Sequence, residues 1–307
     1  MPINVAFVGL GVMGYPMAGW LSKKGYGVTV YNRTAAVADN WIAAYCGSCV
    51  SSPGAAASHA DVVFVCVGND DDVAQVVYAD DGILAGIKSD AVIVDHTTTS
   101  AELAERIAQS VEKIGCHFID APISGGQQGA ENGQLTVMCG GQKEVFERVR
   151  PIMDCYAKAV TLLGDVGSGQ RCKMVNQICI AGLVQGLSEG LNFAQRAGLD
   201  AHQVIEVISQ GAAQSWQMEN RYKTMLAGDY EHGFAVQWMR KDLAIALKEA
   251  ERNGSLLPIT QLVDQFYSEV QGMGGNRWDT SSLLARLQSQ RHSDPEKDHS
   301  PEQINPL

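Results

Sequence analysis

The stretch Asn4-Val-Ala-Phe-Val-Gly9-Leu-Gly11-Val-Met-Gly14 decides the fold of this chain. An apolar run ends in the pattern G-x-G-x-x-G, and Met13, Met17 and Leu21 follow at helical spacing. In such a strand–turn–helix unit the first glycine permits the tight turn, the second lets the backbone approach a pyrophosphate, and the third lets helix and strand pack closely. The pattern predicts a dinucleotide site. The predicted contact residues are Gly9, Leu10, Gly11, Val12, Met13 and Gly14.

The first half of the chain alternates short apolar runs with helical stretches. The predicted strands cover residues 4–8, 28–31, 62–67, 91–95, 117–120 and 135–139. Several of these runs are continuous and rich in β-branched residues, as expected for strands covered on both faces. Strand–helix alternation of this kind predicts an α/β fold with a doubly wound, mostly parallel, Rossmann-type sheet over residues 1–164.

Strand signals vanish after about residue 164. A helical pattern over 169–197 would extend for about 40 Å at about 1.5 Å per residue, long enough to link two domains. The further helices are predicted near 201–209, 217–226, 235–253 and 259–272. The sequence therefore predicts an all-helical C-terminal domain over 165–290, joined by a long interdomain helix. Residues 291–307 are rich in charge and proline, which is typical of a disordered tail.

Bulk properties limit the class of protein. The chain has 307 residues, of which 46% are apolar and 19% charged, as in globular proteins large enough for two cores. A net charge of −11 argues against a nucleic-acid partner, because phosphate binding requires a basic surface. No window approaches the roughly 18 apolar residues of a membrane span. The first residues also lack the pattern of a signal peptide, so we expect a cytoplasmic protein with no membrane partner.

The eight cysteines have no framework spacing, which favours reduced thiols. Cys46 and Cys49 form a C-x-x-C pair without a second pair or a histidine cluster. Structural thiols are therefore favoured over a zinc or redox centre, and we predict no metal site.

The end of the second predicted strand indicates which dinucleotide binds. An NAD site usually carries an acidic residue there, bonded to the ribose 2′-hydroxyl. This chain has Asn32, Arg33 and Thr34 instead. A guanidinium can hold a 2′-phosphate through paired charge-assisted bonds, and Thr34 adds a hydroxyl donor. The stretch favours NADP, with NAD still possible and an unliganded loop arginine as the alternative.

Two further strand ends should face the same crevice, because ligands bind at the carboxyl ends of such sheets. Gly68 permits close approach, and polar side chains beside it could bond ribose or nicotinamide. The predicted contacts are Val67, Gly68, Asn69, Thr97 and Thr98. The acidic run 70–72 is better explained as the start of a helix, and Thr99 or Ser100 as another helix cap.

The segment Asp120-Ala-Pro-Ile-Ser124-Gly125-Gly126 follows a predicted strand. Successive glycines expose main-chain N–H groups that can bind an anion, and Ser124 adds a hydroxyl donor. The turn suits a small carboxylate, although a plain turn explains the glycines equally well.

Lys173, Asn176, Gln177 and Ile180 share one face of the predicted long helix. A lysine and two amides on that face indicate that it lines a cleft. Burial would lower the pKa of the ammonium, which would suit a general acid and base. Lys241 could reach the cofactor, but a surface ion pair with its neighbour Asp242 is the better interpretation from the residues alone. His96 is the only histidine held as an alternative acid/base.

Five motifs in order resemble the β-hydroxyacid dehydrogenases. They are Gly9-Leu-Gly-Val-Met-Gly14, Asp120-Ala-Pro-Ile-Ser-Gly-Gly126, Gly133-Gln-Leu-Thr-Val-Met-Cys-Gly-Gly141, Lys173-Met-Val-Asn176-Gln177 and Lys241-Asp242-Leu243. The resemblance covers about residues 3–290. It implies a Rossmann domain and a helical domain that binds substrate and assembles into homodimers or homotetramers.

The resemblance also implies residue roles. Lys173 would be catalytic, and Lys241 would lie beside the cofactor with Thr98 near the nicotinamide. The implied substrate contacts are Ser124, Gly125, Gly126, Asn176, Phe234 and Asp242, to which the shared helix face adds Gln177. This chain departs from many relatives at Val67-Gly68, where they have Leu-Pro, and at 96–99, where a serine-rich stretch is more usual.

The favoured hypothesis is an NADP-preferring dehydrogenase that transfers hydride to or from a small β-hydroxy acid or its semialdehyde, with Lys173 as general acid/base. The alternative enzyme is an NAD-linked 3-hydroxyisobutyrate dehydrogenase. The alternative of another class is a catalytically silent NADP-binding redox sensor. Imine reduction is disfavoured because that branch generally lacks the lysine, and 6-phosphogluconate dehydrogenase because its helical domain is larger.

Overall fold

A computed structural model describes residues 3–289 of the chain. The strands are β1 (Asn4–Val8), β2 (Gly27–Tyr31), β3 (Ser48–Cys49), β4 (Val62–Val65), β5 (Val92–Asp95), β6 (His117–Asp120), β7 (Ile123–Ser124), β8 (Leu135–Cys139) and β9 (Ala157–Leu162). The helices of the first half are α1 (Gly14–Lys23), α2 (Ala35–Ala44), α3 (Pro53–Ala57), α4 (Asp70–Tyr78), α5 (Ile83–Gly86), α6 (Ala101–Glu112), α7 (Gly126–Glu131) and α8 (Lys143–Met153). Those that follow are α9 (Ser168–Arg196), α10 (Ala201–Ile208), α11 (Trp216–Ala227), α12 (Val236–Asn253), α13 (Pro258–Gly272) and α14 (Leu283–Ser289), with short 3₁₀ turns before α14.

Six strands form one parallel sheet in the order β3-β2-β1-β4-β5-β6. The chain winds outward from β1 in both directions, so β1 and β4 meet at the switch point where such sheets bind ligands. Side chains alternate between two cores. Phe7 and Phe64 belong to one core, while Val8, Val65 and Ile93 belong to the other. The predicted doubly wound Rossmann-type sheet is confirmed.

A second, three-stranded sheet in the order β7-β8-β9 follows the parallel sheet. The segment 135–139 was predicted as a strand of the parallel sheet, but it forms β8, which runs antiparallel to β7 and parallel to β9. A single bridge between Asp120 and Gly140 connects this sheet to the end of β6. Sequence patterns missed β3 and β7 because each has two residues. They missed β9 because its exposed and half-buried positions lack a run of apolar residues.

The second half is helical throughout its described residues, as predicted, and α9 has 29 residues. The chain divides into two compact units. Unit 1 comprises residues 3–179 and 238–261, so it holds the start of α9 and nearly all of α12. The described part of unit 2 comprises residues 180–237 and 262–289, with a core that includes Leu191, Met225 and Leu284. The predicted boundary at residues 164 and 165 stays a prediction, and the predicted tail 291–307 lies outside the described residues.

Among residues 3–289, no helix is both long and apolar enough to cross a bilayer.

A buried aromatic cluster fixes the carboxyl edge of the sheet. The ring of His96, directly after β5, stacks on Phe64 with an interplanar angle of 0°. Its Nδ1 lies 2.6 Å from the carbonyl oxygen of Ala121, and its Nε2 lies 2.8 Å from the hydroxyl oxygen of Tyr156. Burial lowers the pKa of His96 to about 4, so the ring is neutral near pH 7. The cluster therefore ties the ends of β5 and β6 to the start of β9.

Tyr156→Phe should lower the free energy of unfolding by about 1–3 kcal/mol, because a buried imidazole nitrogen loses its partner. Urea denaturation at pH 7.5 measures the change. Tyr78→Phe is the matched control, since its hydroxyl contact with Ser110 is exposed, and it should change stability by less than about 0.5 kcal/mol. Equal effects in the two variants would contradict the structural role of the His96 pair.

Candidate active site

The glycine-rich loop joins β1 to α1 at the switch point. Gly9 has φ of 99°, and a Cβ there would collide with the carbonyl oxygen of Cys66. A Cβ on Gly14 would collide with the carbonyl oxygen of Gly9. At Gly11 a Cβ would meet no atom within 4 Å, so this backbone has an open side. The residues fit a dinucleotide, because two glycines are needed for the turn and the third leaves the space that a pyrophosphate requires.

The residues after β2 bind the loop and each other. Asn32 Oδ1 accepts the N–H of Leu10 at 2.9 Å, and Asn32 Nδ2 donates to the carbonyl oxygen of Thr34 at 3.0 Å. Thr34 is the N-cap residue of α2, but its side chain makes no capping hydrogen bond. The guanidinium of Arg33 is paired with Asp72 at 3.1 Å. Asn32 thus has a structural role in the loop, while Arg33 has a partner that the motif did not reveal.

The ends of β4 and β5 are joined by hydrogen bonds. Thr97 Oγ1 accepts the N–H of Val67 at 3.0 Å. Lys241 Nζ donates to the carbonyl oxygens of Thr98 at 2.6 Å and Gly68 at 3.2 Å. Lys241 therefore holds together the two strand ends that were predicted to face the cofactor.

The acidic run 70–72 and Ser100 lie at the starts of two helices, each of which has a side-chain N-cap. Asn69 Oδ1 accepts the N–H of Asp72 at the start of α4, and Ser100 Oγ accepts the N–H of Leu103 at the start of α6. Ser100 N–H also donates to Asp70 at 3.1 Å. The interpretation of this run as a helix start is confirmed.

Lys173 lies on α9 with a side chain that is 7% exposed. Burial lowers the pKa of its ammonium, and the neighbouring charge of Lys241 lowers it further. The carboxylate of Asp242 acts in the opposite direction and is the larger of these two charge effects. Within the described chain, no hydrogen bond or ion pair engages the Lys173 ammonium. An amine in this setting can exchange a proton at a lower pH than a surface lysine.

A chain of polar contacts lies beside Lys173. Asn176 Nδ2 donates to Gln177 Oε1 at 2.6 Å, and Gln177 Nε2 donates to Asp242 Oδ2 at 2.7 Å. Lys241 Nζ lies 3.2 Å from Asp242 Oδ1 as an ion pair without hydrogen-bond alignment. Asp242 is buried, so the pair is not the surface contact favoured from the residues alone. The contacts orient the amide of Asn176 through Gln177.

Asp120 and Gln170 fix the first turn of α9, and sequence reasoning missed both roles. The buried carboxylate of Asp120 accepts the N–H groups of Gly167 at 2.8 Å and Gln170 at 2.9 Å. The side chain of Gln170 accepts from Thr99 N–H at 3.0 Å and donates to the Thr97 carbonyl at 2.8 Å. An acid 47 residues before a helix gives no capping signal, because that signal depends on neighbours in sequence.

The glycine turn follows β7 directly. Ser124 is half-buried, and Gly125 and Gly126 have φ of 127° and 63°. Gly126 begins α7, whose first N–H groups have no partner within the helix. No side-chain hydrogen bond in the described residues connects Ser124 to the contacts around Lys173.

Two of the remaining candidates have other surroundings. Phe234 belongs to unit 2, where it is exposed and its N–H donates to Asp279 at 2.9 Å. His96 has both ring nitrogens engaged in the core, which removes it as an alternative acid/base. The described residues contain no cluster of side chains that could hold a metal ion.

Family models match both halves of the chain. Residues 4–164 match the NAD-binding domain of 6-phosphogluconate dehydrogenase, and residues 167–287 match the NAD-binding segment of NADP-dependent 3-hydroxyisobutyrate dehydrogenase. An uncharacterized oxidoreductase of Shewanella frigidimarina is 63% identical over 94% of this chain and 99% of its own. A probable mitochondrial 3-hydroxyisobutyrate dehydrogenase-like protein of Arabidopsis thaliana is 40% identical over 93% of this chain and 85% of its own. The solved 3-hydroxyisobutyrate dehydrogenase of Mycobacterium tuberculosis with L-serine superposes with a TM-score of 0.84 at 26% identity, over 94% of this chain and 99% of its own.

The glycine loop at the switch point and these matches define an NAD(P)-dependent dehydrogenase. Its helical half distinguishes it from dehydrogenases that share only the Rossmann domain. The chain belongs to the β-hydroxyacid dehydrogenase family.

Gly11→Ala and Gly14→Ala should separate binding from stability. A methyl group at Gly11 meets no atom of the chain, so stability should stay within about 0.5 kcal/mol of wild type. It would occupy the open side of the loop, so the dissociation constant for NADPH should rise at least about tenfold. A methyl group at Gly14 lies 3.0 Å from the ring of Phe7 as well as against Gly9, so this variant should lose about 1–3 kcal/mol.

Thermal denaturation and NADPH fluorescence titration measure the two quantities on the same samples. A loss of stability in Gly11→Ala as large as that in Gly14→Ala would contradict the different roles of these glycines.

Proposed function

We propose that this enzyme interconverts a small β-hydroxy acid and its semialdehyde, with NADP(H) preferred over NAD(H) and Lys173 as the general acid/base. One observation carries the proposal: a buried lysine with a lowered pKa lies beside a hydrogen-bonded amide and a buried carboxylate. Such a group is expected at a reacting centre rather than on a surface. A silent nucleotide sensor has no need of it.

The proposed proton transfer follows from the charge states of Lys173. NADPH, when bound, supplies the hydride that adds to the carbonyl carbon of the semialdehyde. The Lys173 ammonium gives its proton to the carbonyl oxygen, which becomes the hydroxyl group of the product. In the reverse direction the neutral amine accepts the hydroxyl proton. The amide of Asn176, oriented by Gln177, is proposed to hold the reacting oxygen or the carboxylate.

The substrate is proposed to be a small carboxylate. Ser124 supplies a hydroxyl donor, and Gly125 and Gly126 supply N–H groups at the start of α7. Phe234 and Asp242 are proposed as further pocket residues. In support, L-serine, the ligand of the similar mycobacterial enzyme, is itself a β-hydroxy acid.

We propose that the cofactor binds along the carboxyl edge of the parallel sheet near the switch point, where the following residues would contact it. They are Gly9, Leu10, Gly11, Val12, Met13, Gly14, Asn32, Arg33, Thr34, Val67, Gly68, Asn69, Thr97, Thr98 and Lys241. Arg33 supports NADP, since it is the cation at the end of β2, and so does the match to an NADP-dependent dehydrogenase. The pairing of Arg33 with Asp72 favours the second candidate, an NAD-linked 3-hydroxyisobutyrate dehydrogenase.

Cellular context completes the proposal. All eight cysteines are unpaired, including buried Cys116 and Cys139, which supports a reducing cytoplasm.

A homodimer or homotetramer is supported by large exposed apolar side chains on unit 2. These include Phe193, Val207 and Trp216.

Lys173→Ala should lower turnover at least about a hundredfold, which is the usual scale of general acid–base catalysis. The dissociation constant for NADPH should stay close to that of wild type. Lys173→Arg should be equally inactive, because a guanidinium keeps the charge but does not release its proton near neutral pH. Lys158→Ala, at an exposed lysine, is the control and should keep wild-type turnover.

The pH profiles of the two directions should be opposite in sign. Because the pKa of Lys173 is lowered, the reduction rate should fall as pH rises through a value below about 10.4, and the oxidation rate should rise through the same value.

Near-normal turnover in Lys173→Ala would refute the role of Lys173 as general acid/base.

Cofactor oxidation with a set of candidate substrates tests the reaction class. We expect turnover with at least one of glyoxylate, succinic, methylmalonate or tartronate semialdehyde, and a higher kcat/KM with NADPH than with NADH. A preference for NADH would favour the NAD-linked alternative. Cofactor binding without turnover of any β-hydroxy acid or semialdehyde would support the silent sensor instead.

A further inference from the structure

The ion pair between Arg33 and Asp72 joins two strand ends that flank the glycine loop. Arg33 follows β2, and Asp72 lies in the first turn of α4, the next element after β4. In the sheet, β2 and β4 lie on either side of β1, whose end carries the loop. The guanidinium Nη1 and the carboxylate Oδ1 are 3.1 Å apart. Arg33, the cation at the end of β2, therefore has an anionic partner within the chain, beside the dinucleotide loop.

The position of Asp72 is fixed by its neighbours. Its N–H donates to Asn69 at 2.9 Å, which sets the first turn of α4. A Cβ at position 68 would collide with Asp72 Oδ2, so Gly68 leaves the space that the carboxylate occupies. Asp72 is 28% exposed, whereas Arg33 is 78% exposed. The acid is thus the better-held member of the pair, and Arg33 is the member free to turn toward another anion.

The pair has different consequences for the two cofactors. A 2′-phosphate is a dianion, and to bind Arg33 it must replace Asp72 or share the guanidinium with a like charge at close range. A ribose 2′-hydroxyl carries no charge, so NAD(H) need neither replace Asp72 nor share the guanidinium with it. We propose that Asp72 is a specificity-determining residue that weakens NADP(H) binding by holding Arg33. The inference rests on the proposed function in one respect, namely that Arg33 contacts the 2′-phosphate.

Asp72→Asn tests this directly, because it removes the charge and keeps the N–H that begins α4. The dissociation constants of NADPH and NADH are measured by fluorescence titration of the full chain, which requires no knowledge of the substrate. We expect the constant for NADPH to fall about threefold to fivefold, the upper part of the range for a partly exposed ion pair. The constant for NADH should stay within about twofold of wild type.

Asp71→Asn is the matched control. Asp71 lies in the same turn of α4, is exposed, and has no side-chain partner among residues 3–289. The variant therefore removes the same charge without releasing Arg33. Both dissociation constants should stay within about twofold of wild type.

Gly68→Ala is a second route to the same state. Its methyl group must displace the carboxylate of Asp72, so the ratio of NADPH to NADH affinity should rise in this variant too. The double variant with Asp72→Asn should show no larger ratio than Asp72→Asn alone, since both changes release one arginine.

Two results would overturn the proposal. An unchanged ratio of NADPH to NADH affinity in Asp72→Asn would mean that Asp72 does not determine specificity, and a lower ratio would mean that it presents Arg33 to the phosphate instead of withholding it. An equal rise of the ratio in Asp71→Asn would mean that the effect comes from the net charge of the protein and not from the release of Arg33. The proposed NADP preference is tested separately by the ratio in the wild-type protein. A wild type that prefers NADH, together with a rise in Asp72→Asn, would refute that preference and support the role of Asp72.

Discussion

The buried carboxylate of Asp120 is the contact on which the candidate active site depends. It ends β6 and accepts the N–H groups of Gly167, just before α9, and of Gln170, in the first turn of this helix, which carries Lys173. Burial raises the pKa of Asp120 to about 6, while the backbone N–H groups act against this rise, so the group is largely ionised at pH 7. A buried charged acid is costly unless its hydrogen-bond donors stay in place. The same contact therefore fixes the helix and keeps the charge tolerable.

The charges around Lys173 form one coupled set. Asp242 is the carboxylate between two lysines, and it also accepts from Gln177. Burial outweighs the attraction of Asp242, and the charge of Lys241 opposes part of that attraction, which is why the pKa of Lys173 is lowered despite an anionic neighbour. Lys241 is bound to the carbonyl oxygens of Thr98 and Gly68, so its position is determined by the sheet. The other ammonium, on Lys173, is the group that we propose as the general acid/base.

Features that depend on local sequence could be predicted. These features have periods or spacings of a few residues. They are the strand–glycine–helix pattern at Gly9–Gly14, the alternation of the longer strands and helices, and the shared face of Lys173, Asn176 and Gln177. The second sheet could not be predicted, because β8 has the apolar pattern of a buried strand and nothing local in it states which neighbour it pairs with. The partners of Asp120 and Lys241 were also out of reach, since they lie 47 and 143 or more residues away along the chain.

Arg33 shows why a motif residue does not determine specificity by itself. An arginine at the end of β2 favours a 2′-phosphate. The free energy that it contributes to cofactor binding is, however, the difference between its interactions with two competing partners. One partner is the phosphate, and the other is Asp72, which Gly68 admits and Asn69 positions. In the proposed function, the affinity for NADP(H) then depends on four residues on two strand ends and not on Arg33 alone. We therefore expect a change at Asp72 to alter the affinity for NADP(H) while Arg33 itself stays the same.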